Sequence, residues 1–183
     1  MEYCAGPEWA ELVRHAIVPW ATRGVDLGDD LLEARPGPGA TTVVLRELVA
    51  RLTAVELDPL LVQQLQARFH GTNVTIVEAD AAAMPFESGQ FSAAICLTML
   101  HHVPALEVQD RLLAELGRVV RPGGTVVGSD NLDSPEFRAA HEGDTCLPID
   151  PATLAGRLAS LGFVDVRVEL NEPYSFRFIA HVA

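Results

Sequence analysis

The segment most informative about the fold is Leu31-Leu32-Glu33-Ala34-Arg35-Pro36-Gly37-Pro38-Gly39, an apolar run that ends in an acid and opens into a glycine-rich turn. Two glycines two residues apart can adopt backbone angles closed to other residues, and they let a ligand approach the backbone N–H groups closely. Residues 40–49 have helical spacing, so a ligand in this turn would lie at a helix N-terminus. The pattern predicts a nucleotide-binding loop, with an ordinary turn as the alternative.

A second strand-like run, residues 53–58, places an acid after this loop. Glu56 follows the glycines by roughly 20 residues, the distance at which an acid at the tip of the neighbouring strand accepts hydrogen bonds from ribose hydroxyls. Glu56 is therefore the predicted ribose ligand, with a solvated strand-end acid as the alternative. Asp58 before Pro59 has instead the pattern of a helix N-cap and first helical residue.

Further motifs continue this alternation of strand, acid and loop. They are residues 74–80 with Met84-Pro85-Phe86, residues 91–100 with His101-His102, and Arg121-Pro122-Gly123-Gly124 before a fifth strand. Together with the glycine loop and Glu56, they resemble the class I S-adenosylmethionine-dependent methyltransferases from Leu31 to about residue 130. The resemblance rests on several motifs in the order that the family has them.

Strands and helices alternate along the chain, which predicts a parallel sheet covered on both faces. The resemblance makes this an α/β, Rossmann-like, doubly wound sheet of seven strands, mostly parallel, in the order 3-2-1-4-5-7-6. Helices are predicted near 8–22, with an end or a kink at Pro19, and near 41–50, 59–69, 104–119 and 151–161, with a short one after Ser134. Strands are predicted near 31–34, 52–56, 73–78, 91–97 and 124–129, with a closing antiparallel pair at 163–169 and 175–182.

The resemblance implies S-adenosylmethionine as cofactor and S-adenosylhomocysteine as product. Gly37 and Gly39 would border the methionine part, Glu56 the ribose, and Asp80 and Ala81 the adenine. The full set of predicted cofactor contacts is Glu33, Ala34, Arg35, Gly37, Gly39, Glu56, Leu57, Asp80, Ala81 and Leu97.

One loop residue departs from the family pattern, which usually has a glycine where this chain has Arg35. A guanidinium there either pairs with the cofactor carboxylate or crowds the pocket. Pro36 and Pro38 also remove two backbone donors and stiffen the loop. These departures keep open a non-catalytic cofactor-binding protein with a degenerate loop. An NAD-dependent oxidoreductase is disfavoured, because the third glycine of that fingerprint would fall at Thr42.

Histidines are the candidate catalytic groups for transfer of the sulfonium methyl group. His101 and His102 follow the fourth strand, at the edge where open α/β sheets bind ligands, and imidazole takes a proton near neutral pH. His141 is the third candidate. The alternative for the pair is that one ring packs under the cleft and the other meets solvent.

The acceptor pocket is predicted in residues 131–150, where Arg138, His141 and Asp144 lie within one or two helical turns. With Asp130 they form the predicted substrate-binding set, a solvated surface turn being the alternative. Asp130-Asn131 lies where metal-dependent catechol-type enzymes place two ligands, but their third acid is absent here. No metal site is therefore predicted.

Composition limits the partners and the domain count. The chain has 183 residues, of which 49% are apolar, 13 are basic and 25 are acidic, a formal charge of −12. This predicts one domain, residues 1–183, acting on a small molecule and not on nucleic acid, which needs clustered Lys and Arg.

Residues 1–30 are predicted as a helical lid, or as a helix simply packed on the sheet. Isolated Cys4, Cys96 and Cys146 and the lack of apolar spans predict a cytoplasmic protein without a membrane partner; the oligomeric state is left open.

Overall fold

Seven strands form one sheet in the computed structural model, which describes residues 6–183. Cys4 lies outside the described residues. The strand order is β3-β2-β1-β4-β5-β7-β6, which confirms the predicted order. The strands are β1 (Asp30–Ala34), β2 (Arg51–Glu56), β3 (Val74–Glu78), β4 (Phe91–Leu97), β5 (Val120–Asn131), β6 (Phe163–Asn171) and β7 (Ser175–Val182).

The sheet is mostly parallel, and only β7 runs against its neighbours. β1 to β5 pair in parallel, while β7 is antiparallel to both β5 and β6. Every residue of the central strand β4 is buried, as expected for a parallel strand covered on both faces. The carboxyl ends of β1, β2, β4 and β5 therefore meet at one edge, and the candidate site lies there.

Helices cover both faces of the sheet. They are α1 (Pro7–Leu12), α2 (Val18–Thr22), α3 (Ala40–Leu45), α4 (Pro59–Arg68), α5 (Leu106–Val119), α6 (Pro135–Ala140) and α7 (Pro151–Ser160). Side chains of β4 alternate between two apolar clusters, one holding Ala94 and Cys96 and the other Ala93, Ile95 and Leu97. Because alternate residues of a strand point to opposite faces, the two clusters are the cores on either side of the sheet.

The first helix continues past Pro19, where the sequence predicted an end or a kink. A π-helical turn, Val13–Ile17, joins α1 to α2, and the N–H of Val18 donates to the Val13 carbonyl. The wider turn falls where Pro19 cannot supply an N–H to the helix. The chain therefore stays helical from Pro7 to Thr22.

Arg177 of β7 holds the end of this helix on the sheet. Its buried guanidinium donates to the carbonyls of Trp20 (2.6 Å) and Arg23 (3.1 Å), and it pairs with Glu169 of β6 at 2.8 Å. At the other face of the helix, Arg14 pairs with Glu47 at 3.1 Å. The helix is thus fixed over the carboxyl edge of the strands.

Three predicted boundaries were wrong by a few residues. α3 ends at Leu45 and not near residue 50, because the chain turns there, with the N–H of Leu48 donating to the Leu45 carbonyl. α5 begins at Leu106, two residues after the predicted start at residue 104. β5 begins at Val120, because the Arg-Pro-Gly-Gly segment forms an irregularity within the strand, where a side chain at Gly124 would meet the Ser92 carbonyl at 2.5 Å.

Among the described residues, no helix combines the length and the apolar character needed to cross a membrane.

Candidate active site

The glycine loop leaves β1 through three left-handed positions that alternate with Pro36 and Pro38. Arg35, Gly37 and Gly39 have φ values of 51°, 56° and 83°. The N–H of Arg35 donates to the Val55 carbonyl at 2.8 Å, which fixes the start of the loop on β2. Glycine adopts such angles without cost, whereas Arg35 pays a steric penalty at its Cβ atom. Arg35 therefore retains the loop conformation that glycine would provide.

Gly39 brings the loop close to α4. A Cβ atom at Gly39 would lie 2.6 Å from Cδ2 of Leu65. On the same helix, the guanidinium of Arg68 donates to the Pro38 carbonyl at 2.9 Å. The second glycine is thus required by packing as well as by its backbone angle.

Glu56 joins the loop to the tip of β2. One carboxylate oxygen accepts the N–H of Gly37 at 3.1 Å, and the other accepts those of Leu57 (2.8 Å) and Asp58 (3.1 Å). The residue is only 4% exposed, and its carboxylate borders a cavity beside the loop. The acid predicted to bind ribose is thus held rigidly at the cavity wall.

Glu33 lies behind the loop, against the first turn of α3. Its two carboxyl oxygens accept the hydroxyl groups of Thr41 and Thr42, the latter at 2.7 Å. Burial raises the pKa of Glu33 from 4.5 to about 7, against the opposing effect of these two hydrogen bonds. Glu33 therefore fixes the loop to the helix from the inside.

The cavity beside the loop, called here the loop cavity, has a volume of about 350 Å³. Of the predicted cofactor residues, it is lined by Arg35, Gly37, Glu56 and Leu97. The others do not line it: Glu33, Ala34, Gly39, Leu57, Asp80 and Ala81. Asp80 is exposed beyond β3, where its carboxylate accepts the N–H of Ala82 at 2.9 Å. The adenine contacts stay a prediction.

A second cavity, called here the apolar cavity, has a volume of about 580 Å³ and lies under the N-terminal helix. Trp20 of α2 and Phe137 of α6 form part of its walls, and Tyr174 stands at the turn between β6 and β7. Ser129 and Asp130, at the end of β5, are among its polar lining. Such a volume with mostly apolar walls suits a small organic molecule.

The two cavities meet at Trp9 and Thr98, which line both. Thr98 has φ 52°, an uncommon angle for a β-branched residue. Its N–H donates to the Ser129 carbonyl at 2.8 Å, and its hydroxyl donates to the Leu97 carbonyl at 2.8 Å. This strained residue turns the chain at the end of β4 and so forms the boundary between the cavities.

Ser129 carries a buried hydroxyl group without a hydrogen-bond partner among residues 6–183. A buried polar atom of this kind costs free energy until a ligand or water satisfies it. Ser129 is also one of the residues that line the apolar cavity.

The three predicted catalytic histidines come together in space. The ring centroids lie 4.1 Å apart for His101 and His102, 4.8 Å for His101 and His141, and 5.3 Å for His102 and His141. Of the three, His102 lines the loop cavity. Burial and the neighbouring His101 lower the pKa of His102 below its usual 6.5, which favours the neutral ring.

His101 is fixed by Asp130. Its Nδ1 lies 2.6 Å from one carboxylate oxygen, and its backbone N–H donates to the other at 3.1 Å. Both side chains are almost fully buried, at 3% and 1% exposure. His101 thus occupies the packed position and His102 the open one, an alternative that the sequence left undecided.

The remaining predicted substrate residues separate. Arg138 is exposed and pairs with Asp133 at 2.6 and 2.7 Å, outside both cavities, because the short α6 directs it to the surface. Asp144 lines the loop cavity and not the apolar one. Only Asp130 of the predicted set lines the apolar cavity.

Comparison with known proteins identifies the family. Residues 32–128, more than half of the chain, match the family model described as a methyltransferase domain. The chain belongs to the class I S-adenosylmethionine-dependent methyltransferases. The match spans the glycine loop, Glu56, the histidine pair and most of β5.

Relatives of this chain include the demethylmenaquinone methyltransferase of Thermus thermophilus, 32% identical over 117 residues, 59% of this chain and 52% of that protein. An uncharacterized protein of Mycobacterium tuberculosis is 32% identical over 108 residues, 58% of this chain and 38% of that protein. The chain thus spans about half or less of the length of these relatives.

Solved structures share the fold of this chain. The DhpI complex with S-adenosylhomocysteine has a TM-score of 0.78 at 23% identity, covering 100% of this chain and 90% of that one. An S-adenosylmethionine-dependent methyltransferase from Aquifex aeolicus has a TM-score of 0.77 at 16% identity, covering 100% and 96%.

Three residues of the candidate site, Thr98, Ser129 and Trp9, were not predicted as site residues from the sequence. Thr98 carries no local signal for a left-handed angle, because its conformation follows from the pairing with β5. Ser129 directly precedes Asp130 at the end of a predicted strand, and that position was the available signal. Trp9 was recognised only as an apolar residue of the first helix.

Proposed function

We propose that this methyltransferase binds S-adenosylmethionine in the loop cavity and transfers its methyl group to a small molecule in the apolar cavity. The observation that carries the proposal is the junction at Trp9 and Thr98. Methyl transfer needs a donor and an acceptor side by side, and two cavities that share a boundary provide this arrangement.

The charges of the loop cavity support the cofactor assignment. Glu56 presents a rigid carboxylate for ribose hydroxyl groups. Arg35 makes no ion pair with any residue of the described chain, so its guanidinium is free to pair with the methionine carboxylate. The DhpI neighbour was solved with S-adenosylhomocysteine, the product of such a reaction.

The apolar cavity favours an acceptor with a ring or other apolar body and one hydrogen-bonding group. Aromatic and aliphatic side chains supply the walls. The buried Ser129 hydroxyl has no partner among the described residues, and a rotation of this side chain would let it bond to an acceptor in the cavity. The N-terminal helix would act as a lid that excludes water, and residues 131–150 as the acceptor-pocket segment. Where the acceptor carries a proton, His102 is the candidate base, with His101 and His141 behind it.

The first experiment is calorimetric titration of the cofactor-stripped protein with S-adenosylhomocysteine, with NAD as the negative control. Glu56→Ala is compared with Glu78→Ala, a matched control because the two acids end neighbouring strands in register. We expect binding of S-adenosylhomocysteine and not of NAD, and a loss of roughly tenfold or more in affinity for Glu56→Ala alone.

Transfer is then measured as formation of S-adenosylhomocysteine from S-adenosylmethionine over a panel of aromatic acceptors. Turnover with any acceptor supports an enzyme. Tight cofactor binding without turnover over the panel would favour the non-catalytic alternative, and equal loss of affinity in Glu56→Ala and Glu78→Ala would contradict the placement of the ribose.

A further inference from the structure

Three of the six histidines of the chain form one cluster, His101, His102 and His141, called here the histidine cluster. One ring nitrogen from each lies within 4.8 Å of the other two. The members come from two separate segments, the turn after β4 and the end of α6. The fold, and not local sequence, brings the three nitrogens together.

Each ring is oriented through its Nδ1 atom. Nδ1 of His101 faces the Asp130 carboxylate at 2.6 Å, that of His102 the Thr145 carbonyl at 3.2 Å, and that of His141 the Phe137 carbonyl at 2.8 Å. All three partners are hydrogen-bond acceptors, so each Nδ1 carries the proton. In the neutral rings, the lone pair is therefore on Nε2.

This arrangement is the one that metal-binding histidines show in proteins. A ligating imidazole almost always donates its other N–H to a carboxylate or a backbone carbonyl, which fixes the ring and raises its basicity. Here one histidine has a carboxylate partner and two have carbonyl partners. The rings of His101 and His141 also pack against Phe137, which helps to hold them together.

We propose that the histidine cluster binds a divalent transition-metal ion such as Zn²⁺ through its three imidazole rings. Imidazole nitrogen suits Zn²⁺ and its neighbours in the first transition row, whereas Mg²⁺ prefers oxygen ligands. Zn–N bonds of about 2.0–2.1 Å require the nitrogens to approach to roughly 3.3 Å. His102 and His141 are only half-buried, so their rings can close by small rotations.

The site differs from the metal position considered in the sequence, which involved Asp130 and Asn131 as oxygen ligands. In the present proposal, Asp130 contacts His101 and not the ion, so it acts as a positioning residue. An ion held here would use the same lone pair of His102 that a base needs. The metal-free and metal-loaded proteins would thus be chemically distinct forms.

The test measures metal binding directly, without cofactor or acceptor, so its outcome is independent of the proposed methyl transfer. The untagged, metal-stripped full chain is titrated with Co²⁺ and followed by its visible d–d absorption, and Zn²⁺ is used to displace the Co²⁺. We expect uptake of one Co²⁺ per chain and displacement by an equal amount of Zn²⁺, with no comparable uptake of Mg²⁺.

Variants assign the site. His102→Ala and His141→Ala, both half-buried, should each weaken Co²⁺ binding roughly tenfold or more, and Asp130→Asn should weaken it by roughly 10–100-fold. His70→Ala is the matched control, because His70 is exposed and lies outside the histidine cluster; its affinity should equal that of the parent. Circular dichroism checks that each variant is folded.

Two outcomes overturn the proposal. One is failure of the folded parent chain to bind Co²⁺ stoichiometrically. The other is Co²⁺ binding that His102→Ala and His141→Ala leave unchanged, whatever His70→Ala does. Either result would mean that the histidine cluster is a packing contact beside Phe137 and not a metal site.

Discussion

Replacement of Glu33 by Gln should stabilise the protein at neutral and alkaline pH but not in acid. Glu33 is buried between the glycine loop and α3, and its folded-state pKa of about 7 exceeds its ordinary value of 4.5. In the unfolded chain the carboxyl group ionises above pH 4.5, whereas in the folded protein it keeps its proton until about pH 7. The unfolded state therefore becomes relatively more favourable as the pH rises between these values.

The magnitude follows from the size of the shift. A pKa difference of one unit corresponds to about 1.4 kcal/mol, so the rise from 4.5 to about 7 removes about 3 kcal/mol of unfolding free energy by pH 8. Gln has the shape of the protonated acid and can still accept one threonine hydroxyl and donate to the other. The unfolding free energy of Glu33→Gln should therefore equal that of the parent near pH 4 and exceed it by about 3 kcal/mol at pH 8.

The assay is urea unfolding of parent and Glu33→Gln at a series of pH values from 4 to 8. The difference between the two proteins removes the contributions of other titrating groups. Thr42→Val is a second variant. Loss of this hydroxyl should raise the Glu33 pKa further, so the loss of unfolding free energy should extend to higher pH. Parallel stability profiles for parent and Glu33→Gln would refute the reasoning.

Three further substitutions test the site. Arg35→Gly should be about 1 kcal/mol more stable than Arg35→Ala in urea unfolding, because only glycine relieves the left-handed φ; equal stabilities would show that no strain is stored there. Ser129→Ala should raise the unfolding free energy of the ligand-free protein by up to about 1 kcal/mol, since it removes an unsatisfied hydroxyl. The same change should weaken binding of any acceptor that turns over, and unchanged acceptor KM would contradict the proposed contact. Arg177→Met should lower the unfolding free energy by about 3 kcal/mol, because it leaves the helix-end carbonyls without their donor. A smaller loss of unfolding free energy than that caused by Arg14→Met would be evidence against this anchor.

The fold was predictable because its signals are local. β1, β3 and β4 are short, mostly apolar runs, β6 and β7 alternate apolar and polar residues, and the glycine loop marks the first crossover. Asp58 caps α4 as its position before Pro59 predicted, and its carboxylate accepts the N–H of Leu60 at 2.8 Å. Errors arose where the chain departs from regular geometry, as in the π-helical turn before Pro19 and the irregular start of β5.

The site was predictable only in part. Glu56 follows the loop at a spacing that parallel neighbouring strands impose, so its approach to Gly37 could be anticipated. Glu33 was expected among the cofactor contacts, but the two threonines of α3 take up its carboxyl oxygens. Arg138 was expected at the acceptor, but Asp133 holds it at the surface. In both cases, the charged side chain that the sequence predicted to contact a ligand instead bonds to a nearby residue of the protein.

Sequence alone indicated the alternation of strands and helices and the edge of the sheet at which ligands bind, because these follow from the periodicity and spacing of neighbouring residues. The strand order and the family were implied by the resemblance of the motifs to the class I methyltransferases. Tertiary structure determined which distant groups meet: His141 against the histidine pair, Thr98 at the boundary of two cavities, and Ser129 inside one of them. Those contacts depend on how α6 and the N-terminal helix pack over the ends of β4 and β5. Packing of this kind joins residues far apart in the chain, and no local pattern records it.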